Sequence, residues 1–359
     1  MTKAARFCFA TAGLYAVIMA ASVKNAGATP QFARETGMNC NACHRHMPLL
    51  NEFGQRFYAN GFRLGKGEKP EKTLPLWASV GAQGTTSNSL GSSVPISWAS
   101  TEIASYGFVD SIQLLYHLEY QPTEKQNNIY LLQPLSKGLT IQAGEIGLFA
   151  QYDPRLDVNI SRPVFLSPGG NGPLGNGKSG PFAPGSNAYG VRANLSLTGD
   201  SAMPYSDGWK MSGAIPLSDE APCGTQPIYS NDPTGYFTEI YRRIGMNSYG
   251  ANYFTGRDGR ESFGTAVQQK YKSLFFEGGM SFATFNGSKT GTASLGTTWT
   301  PSYDKAFSFR IDDQDGIFSL VPTLSYWLSS KRGGLRLVAE STITHGVGPT
   351  TIVSAQMKF

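Results

Sequence analysis

Beyond residue 76 the chain is a succession of short amphipathic segments. Ile112, Leu114, Tyr116, Leu118 and Tyr120 alternate with Gln113, Leu115, His117 and Glu119. Phe307, Phe309 and Ile311 alternate with Ser308, Arg310 and Asp312, and Leu335, Leu337 and Ala339 with Arg336, Val338 and Glu340. A period of two marks β-strands with one apolar and one polar face. Clusters of Gly, Asn, Asp, Ser and Pro separate the segments. Strands are predicted at 76–86, 94–107, 111–121, 127–135, 138–149, 187–199, 207–217, 235–245, 247–256, 263–273, 274–285, 291–301, 305–312, 317–329, 333–345 and 349–359. That sets the count at about 16, within a range of 12–16. The stretches 167–186 and 218–235 read as loops.

Two architectures bury such strands. A soluble sandwich turns its apolar faces into a dry core. A membrane barrel turns them to lipid and lines its lumen with the polar faces. Composition favours the barrel. Charged residues are only 15 % of the chain, against about a quarter in ordinary soluble domains, while Gly (42), Tyr (17) and Phe (21) are plentiful. The last segment alternates Val353, Ala355, Met357 and Phe359 with Ser354, Gln356 and Lys358, an amphipathic strand ending on an aromatic, as outer-membrane barrels commonly do. After the N-terminal segment no run of about 18 apolar residues remains, so helical spans are excluded. The net charge of +5 comes without a concentrated basic run, which gives no case for nucleic acid.

The N-terminus reads as an export signal over 1–28. Lys3 and Arg6 precede an apolar run from Phe7 to Val23, and Ala26-Gly27-Ala28 offers an A-x-A cleavage site. Cys8 leaves with the signal. Cys223 stands alone in a loop, so the exported chain is not a disulfide scaffold.

Cys40 and Cys43 with His44 form a C-x-x-C-H motif, the attachment signature of haem c. Two thiols at this spacing reach both vinyl groups of one porphyrin, and the adjacent imidazole reaches the iron as proximal ligand. A thiol redox pair or half a zinc site is the alternative; zinc needs further ligands, and here the neighbourhood offers only His46. A helix is predicted to follow, with Pro48 in its first turn, Leu49, Leu50, Phe53 and Phe57 on one face, and Asn60-Gly61 as its stop. That face is expected against the porphyrin. The distal ligand is left open: His117, Met47, His46 and Met38 are candidates beside water or no sixth ligand, with the lumen side of its strand expected for His117. Lumen carboxylates such as Glu102, Glu119, Asp312, Asp313 and Glu340 are candidate contacts for a divalent cation, since hard oxygen ligands suit one, or partners of lumen Arg and Lys. Lys66, Lys69, Pro70, Lys72 and Pro75 mark a linker. The expected organisation is therefore a signal at 1–28, a small α-helical monohaem cytochrome c head and linker at 29–72, and a transmembrane antiparallel β-barrel at 73–359, all-β in class.

The run Phe32-Ala33-Arg34-Glu35-Thr36-Gly37-Met38-Asn39-Cys40, with Cys43-His44, Pro48, Leu50-Asn51, Phe53-Gly54 and Asn60-Gly61-Phe62, resembles the head of fused monohaem cytochrome–porins of bacterial outer membranes. The layout of signal, single C-x-x-C-H head and barrel matches as well. The resemblance implies one covalent haem c on Cys40, Cys43 and His44, placed in or at the barrel lumen in the outer membrane of a Gram-negative bacterium. It implies oxidation of extracellular Fe(II), with electrons passed to a periplasmic c-type cytochrome or other soluble carrier. Two further functions stand beside this one: a conduit for another extracellular donor or acceptor, and a diffusion porin whose haem-bearing head is a plug or sensor.

Overall fold

The computed structural model describes residues 31–64, 77–87, 96–109, 111–121, 126–147, 161, 163–166, 187–199, 201–203, 205–218, 235–257, 259–285, 287–330, 333–346 and 349–358. The predicted signal, the linker, Cys223 and Phe359 lie outside these residues.

The N-terminal segment comprises α1 (Gln31–Thr36), a 3-10 turn (Cys40–Ala42), β1 (His44–His46), β2 (Leu49–Leu50) and α2 (Glu52–Ala59). Sixteen long strands follow: β3 (Trp77–Ser87), β4 (Ile96–Val109), β5 (Leu114–Gln121), β6 (Gln126–Ser136), β7 (Leu139–Gly147), β8 (Asn187–Ser196), β9 (Gly208–Ser218), β10 (Gly235–Ile244), β11 (Asn247–Gly256), β12 (Glu261–Tyr271), β13 (Leu274–Phe285), β14 (Ser288–Ser302), β15 (Lys305–Gln314), β16 (Ile317–Ser330), β17 (Gly333–Thr344) and β18 (Pro349–Lys358). Each pairs antiparallel with the next, and β18 closes onto β3 from Thr350↔Ser87 to Lys358↔Ser79. Every predicted strand is present. Closure leaves no unpaired edge, the condition for strands to cross lipid.

The wall is turned inside out relative to a soluble protein. On β15, Phe307, Phe309 and Ile311 are exposed while Ser308, Arg310 and Asp312 are buried; Phe309 is 43 % accessible and Arg310 0 %. The same holds on β10, where Tyr236, Ile240 and Ile244 face outward and Glu239, Tyr241 and Arg243 face inward. So large an apolar exterior is unfavourable in water and neutral in acyl chains, so this surface faces lipid.

Tight turns join strands at both ends, as at Ile244–Asn247, Tyr271–Leu274 and Ser302–Lys305 at one and Phe285–Ser288 and Gln314–Ile317 at the other, so the longest connections decide the polarity. The connection from Gly147 to Asn187 lies at the other end and is far longer. In outer-membrane barrels the short turns are periplasmic and the long loops extracellular. That polarity fixes the two mouths used below.

One local prediction is corrected. The helix after the C-x-x-C-H motif begins at Glu52, not at Pro48. Leu49 and Leu50 belong to a two-stranded hairpin with His44 and His46. Asn51 is the helix cap, its Oδ1 accepting from Gly54 N at 2.9 Å. The stop at Gly61 is as expected: Phe62 N donates to Phe57 O and Gly61 N to Tyr58 O, both at 2.9 Å, with Gly61 at φ 67°. This is a Schellman turn, and Phe57 and Phe62 supply its apolar contact at 5.9 Å between ring centroids.

Candidate functional site

Residues 31–64 seat inside the short-turn mouth and touch its wall around much of the ring. Gln31 Nε2 donates to Tyr106 O on β4 at 2.6 Å, and Tyr106 N donates back to Gln31 Oε1. The Tyr58 hydroxyl meets that of Tyr130 on β6. Arg45 Nη2 donates to Ser273 O at 2.9 Å and its Nε to Thr300 Oγ1 at 3.0 Å. His46 Nδ1 meets Tyr303 O at 2.9 Å, and its Nε2 meets Ser325 Oγ at 2.8 Å. Leu49 packs on Ala306.

Local geometry at the motif is set by backbone hydrogen bonds. Ala42 N donates to Asn39 O at 2.9 Å and Cys43 N to Cys40 O at 3.2 Å, which winds Cys40 and Cys43 into one turn. Asn51 clamps that turn to α2. Its backbone N donates to Cys43 O at 2.8 Å and its Nδ2 to Ala42 O at 2.9 Å. The two thiols are unbridged. Burial pushes the Cys40 thiol up, and burial with the neighbouring Cys40 pushes Cys43 up to about 11. His44 Nδ1 lies 3.0 Å from Pro48 O. A carbonyl only accepts, so Nδ1 carries the proton and Nε2 carries the lone pair.

The remaining sequence candidates divide by position. Both ring nitrogens of His46 are engaged by the barrel, and burial lowers its pKa to about 4, so the neutral ring ties the segment to the wall. Met47 is buried at the hairpin tip; Met38 lies between α1 and the 3-10 turn, its backbone N on Thr36 Oγ1. His117 is beside the head, as its strand parity implied, with ring centroids 4.4 Å from Tyr106 and 4.7 Å from Tyr130. It stands on the β4–β6 side, whereas Arg45 and His46 are fixed to β14, β16 and the turns after β12 and β14. The expected apolar face for a porphyrin is split: Leu49 goes to the wall, and Phe57 joins an aromatic cluster with Phe32 (5.3 Å) and Phe62.

In the lumen the described carboxylates are engaged by protein. Asp312 meets Arg310 Nε at 3.0 Å and accepts from Ser294 Oγ at 2.6 Å. Glu340 accepts from Ser161 N at 2.9 Å and Thr323 Oγ1 at 3.1 Å. Asp313 is not a lumen residue as expected: it has the outward parity of Phe309 and Ile311, opposite Phe318, and accepts from Gly316 N at 2.9 Å in the turn. The side chains of Glu102 and Glu119 lie outside the described set. Among the described residues no three metal-ligating side chains cluster. Ser161 belongs to the long Gly147–Asn187 connection, whose described residues 161 and 163–166 therefore lie inside the barrel. Arg310 Nη1 and Nη2 hold Ser161 O and Oγ at 3.0 and 2.8 Å. Phe165 of the same connection is buried with Ile146, Phe237 and Phe254. Sequence reading missed Arg45, Tyr303, Ser161 and Phe165, because none lies in a motif and each is defined by a partner remote in sequence.

No protein-family model matches the chain, and no curated protein matches it. Solved structures do. A porin aligns over 79 % of this chain and 99 % of its own, at 12 % identity and a TM-score of 0.51. The anion-selective porin from Comamonas acidovorans aligns over 79 % and 98 %, at 12 % identity and 0.54. OmpT, an outer membrane protein of Vibrio cholerae, aligns over 80 % and 99 %, at 8 % identity and 0.50. The chain folds as a porin-like barrel. With its lipid-facing belt and closed ring of strands, it is a protein of the bacterial outer membrane.

Proposed function

We propose that this barrel is an outer-membrane electron conduit. One haem c would be held through Cys40 and Cys43 with His44 as iron ligand; extracellular Fe(II) would be the donor and a periplasmic c-type cytochrome or other soluble carrier the acceptor. The observation that carries this reading is the contact of His44 Nδ1 with Pro48 O. It fixes the tautomer and aim of the imidazole, as expected of a metal-bound histidine. The donor set fits as well, since one clamped turn presents two unbridged thiols next to that ring.

Bound there, the group supplies a one-electron ferric–ferrous couple. The chain's own residues do the rest. Asn51 and Gly54 brace the motif against α2. Arg45 and His46 fix it to the wall at the short-turn mouth, where a soluble carrier can dock. Lipid insulates, so the closed wall leaves the lumen as the route for Fe(II). Each Fe(II) gives up one electron and leaves as Fe(III) on the outer side of the head. Because residues 31–64 bridge the mouth from Tyr106 and Tyr130 to Tyr303 and Ser325, the arrangement favours electron transfer over solute diffusion.

The test is mass spectrometry of the processed protein, followed by visible spectra during Fe(II) addition. A mass increment of one haem and reduction of the bands are expected. An unmodified mass removes the cofactor; bands that stay ferric in excess Fe(II) remove iron as the donor and leave a conduit for another partner.

A further inference from the structure

The lipid-facing wall carries a cation near its periplasmic rim. Trp209 on β9, Arg242 on β10 and Tyr249 on β11 stand directly opposite one another across three adjacent strands. Arg242 has the outward parity of Tyr236, Ile240 and Ile244, the exposed residues of β10, and its two partners in the register share that face. It lies two residues before the end of β10 at Ile244, where the tight turn to Asn247 begins. At ~3.3 Å per residue the guanidinium-bearing position is about 7 Å from that turn. Trp and Tyr line barrels at this level, where lipid headgroups meet the acyl region.

The three side chains form one assembly. The Arg242 guanidinium lies over the Trp209 ring, 5.8 Å from its centroid. Trp209 meets Tyr249 edge-on, with centroids 5.7 Å apart. Arg242 Nη1 donates to the Tyr249 hydroxyl at 3.3 Å, and among the described residues the guanidinium forms no other hydrogen bond and no ion pair. Asp207 at the same rim is engaged elsewhere, its Oδ1 accepting from Gly245 N at 2.7 Å. A guanidinium presents several N–H donors in one plane, and the phenol takes only one. Exposed Met211 and Ile240 continue the outward faces of β9 and β10 toward the membrane centre, and exposed Val267 stands opposite Tyr249. A cation on a lipid-facing wall is costly unless partnered. The anion found at this depth is a phosphate, whose oxygens suit the planar fork of Arg.

We propose that Trp209, Arg242 and Tyr249 form a binding site for the phosphate of a phospholipid in the periplasmic leaflet. The phosphate oxygens accept from the remaining guanidinium N–H groups. The Tyr249 hydroxyl, which accepts from Nη1, donates its own proton to the same phosphate. The acyl chains lie along Met211, Ile240 and Val267, and the lipid holds this side of the barrel at a fixed depth.

Full-length protein in detergent is mixed with dioleoylphosphatidylglycerol or with dioleoylglycerol, which has the same chains and no phosphate. Native mass spectrometry reads the lipid retained, and the heat-modifiable gel shift verifies that each variant is folded. The wild type retains the phosphatidylglycerol in preference to dioleoylglycerol. Arg242→Gln weakens that retention roughly tenfold, the loss expected for hydrogen bonds to a charged group, and Arg242→Lys weakens it less. Lys137→Ala, which removes an exposed cation from the β6–β7 turn at the same end, leaves retention unchanged. Equal retention of the two lipids by the wild type overturns the proposal without recourse to any variant, because acyl contact alone then explains binding. Equal retention by the wild type and Arg242→Gln overturns it, as does an equal loss in Lys137→Ala, which assigns binding to diffuse charge. A lipid-free oligomer that Arg242→Gln dissociates gives this face to a second copy of the chain and overturns it too.

Discussion

Gly54 of α2 lies so close to Cys43 that a Cβ added to it would stand 2.2 Å from the Cys43 carbonyl oxygen. That oxygen already accepts from Asn51 N, so the helix is seated directly on the turn that carries both thiols. Only hydrogen at this position permits the approach.

Gly54→Ala tests the seat. In an open helix the change stabilises by roughly 0.5–1 kcal/mol. Here it forces α2 away from the motif, at about 1–3 kcal/mol. With haem attached as proposed, the fraction of protein carrying it, read by mass spectrometry, is expected to drop while the barrel still folds.

His46→Ala removes two hydrogen bonds that reach into the wall at Tyr303 and Ser325. Each is worth about 0.5–1.5 kcal/mol, and unpaired remnants add to the cost. Faster hydrogen exchange over residues 31–64 is the expected outcome, with a higher conductance of the reconstituted barrel. Ser325→Ala is expected to do the same to a smaller extent. Unchanged exchange in both variants contradicts the docking described here.

Phe165→Ala tests the inward fold of the long connection. The ring is buried and sits where a Cβ on Gly279 would be 2.7 Å away. Emptying such a site costs about 3–5 kcal/mol when the surroundings do not collapse. The loss falls on the connection and spares the barrel, because the strand hydrogen bonds are untouched. Single-channel conductance is expected to rise, and the heat-modifiable gel shift of the barrel to stay put.

Arg310→Ala removes the cation that meets Asp312 and holds Ser161 by two bonds. Breaking a buried pair by deleting one partner costs about 3–5 kcal/mol, because the remaining charge is left uncompensated. Ion selectivity measured by reversal potential should move toward cations as the lumen loses one positive charge. Arg310→Lys keeps the charge but not the fork, so selectivity is retained while the grip on Ser161 weakens.

The barrel was legible because lipid and lumen impose opposite chemistries on neighbouring residues. Phe309 and Arg310 show this: their alternation is local, so a period of two found β15, and likewise β11 and β13 with the same bounds as predicted, 247–256 and 274–285. The C-x-x-C-H motif at Cys40, Cys43 and His44 was readable for the same reason, since its spacing lies within five residues.

Leu49 and Leu50 were misread as helical. Their spacing from Phe53 and Phe57 satisfies a helical stripe, but Leu49 is drawn to Ala306 on the wall and the hairpin with His44 and His46 wins. Nothing local to residue 49 encodes that partner.

What the sequence determined alone, then, is every feature whose cause is confined to a few neighbouring residues: the strand pattern, the turn of the C-x-x-C-H motif and the Gly61 stop. Tertiary structure alone decided that the head lies within the short-turn mouth, that His46 is tied to Tyr303 and Ser325, and that Tyr58 meets the Tyr205 ring that also carries the Arg243 guanidinium. Those facts depend on the closure of β18 onto β3, which brings into one lumen side chains from every part of the chain.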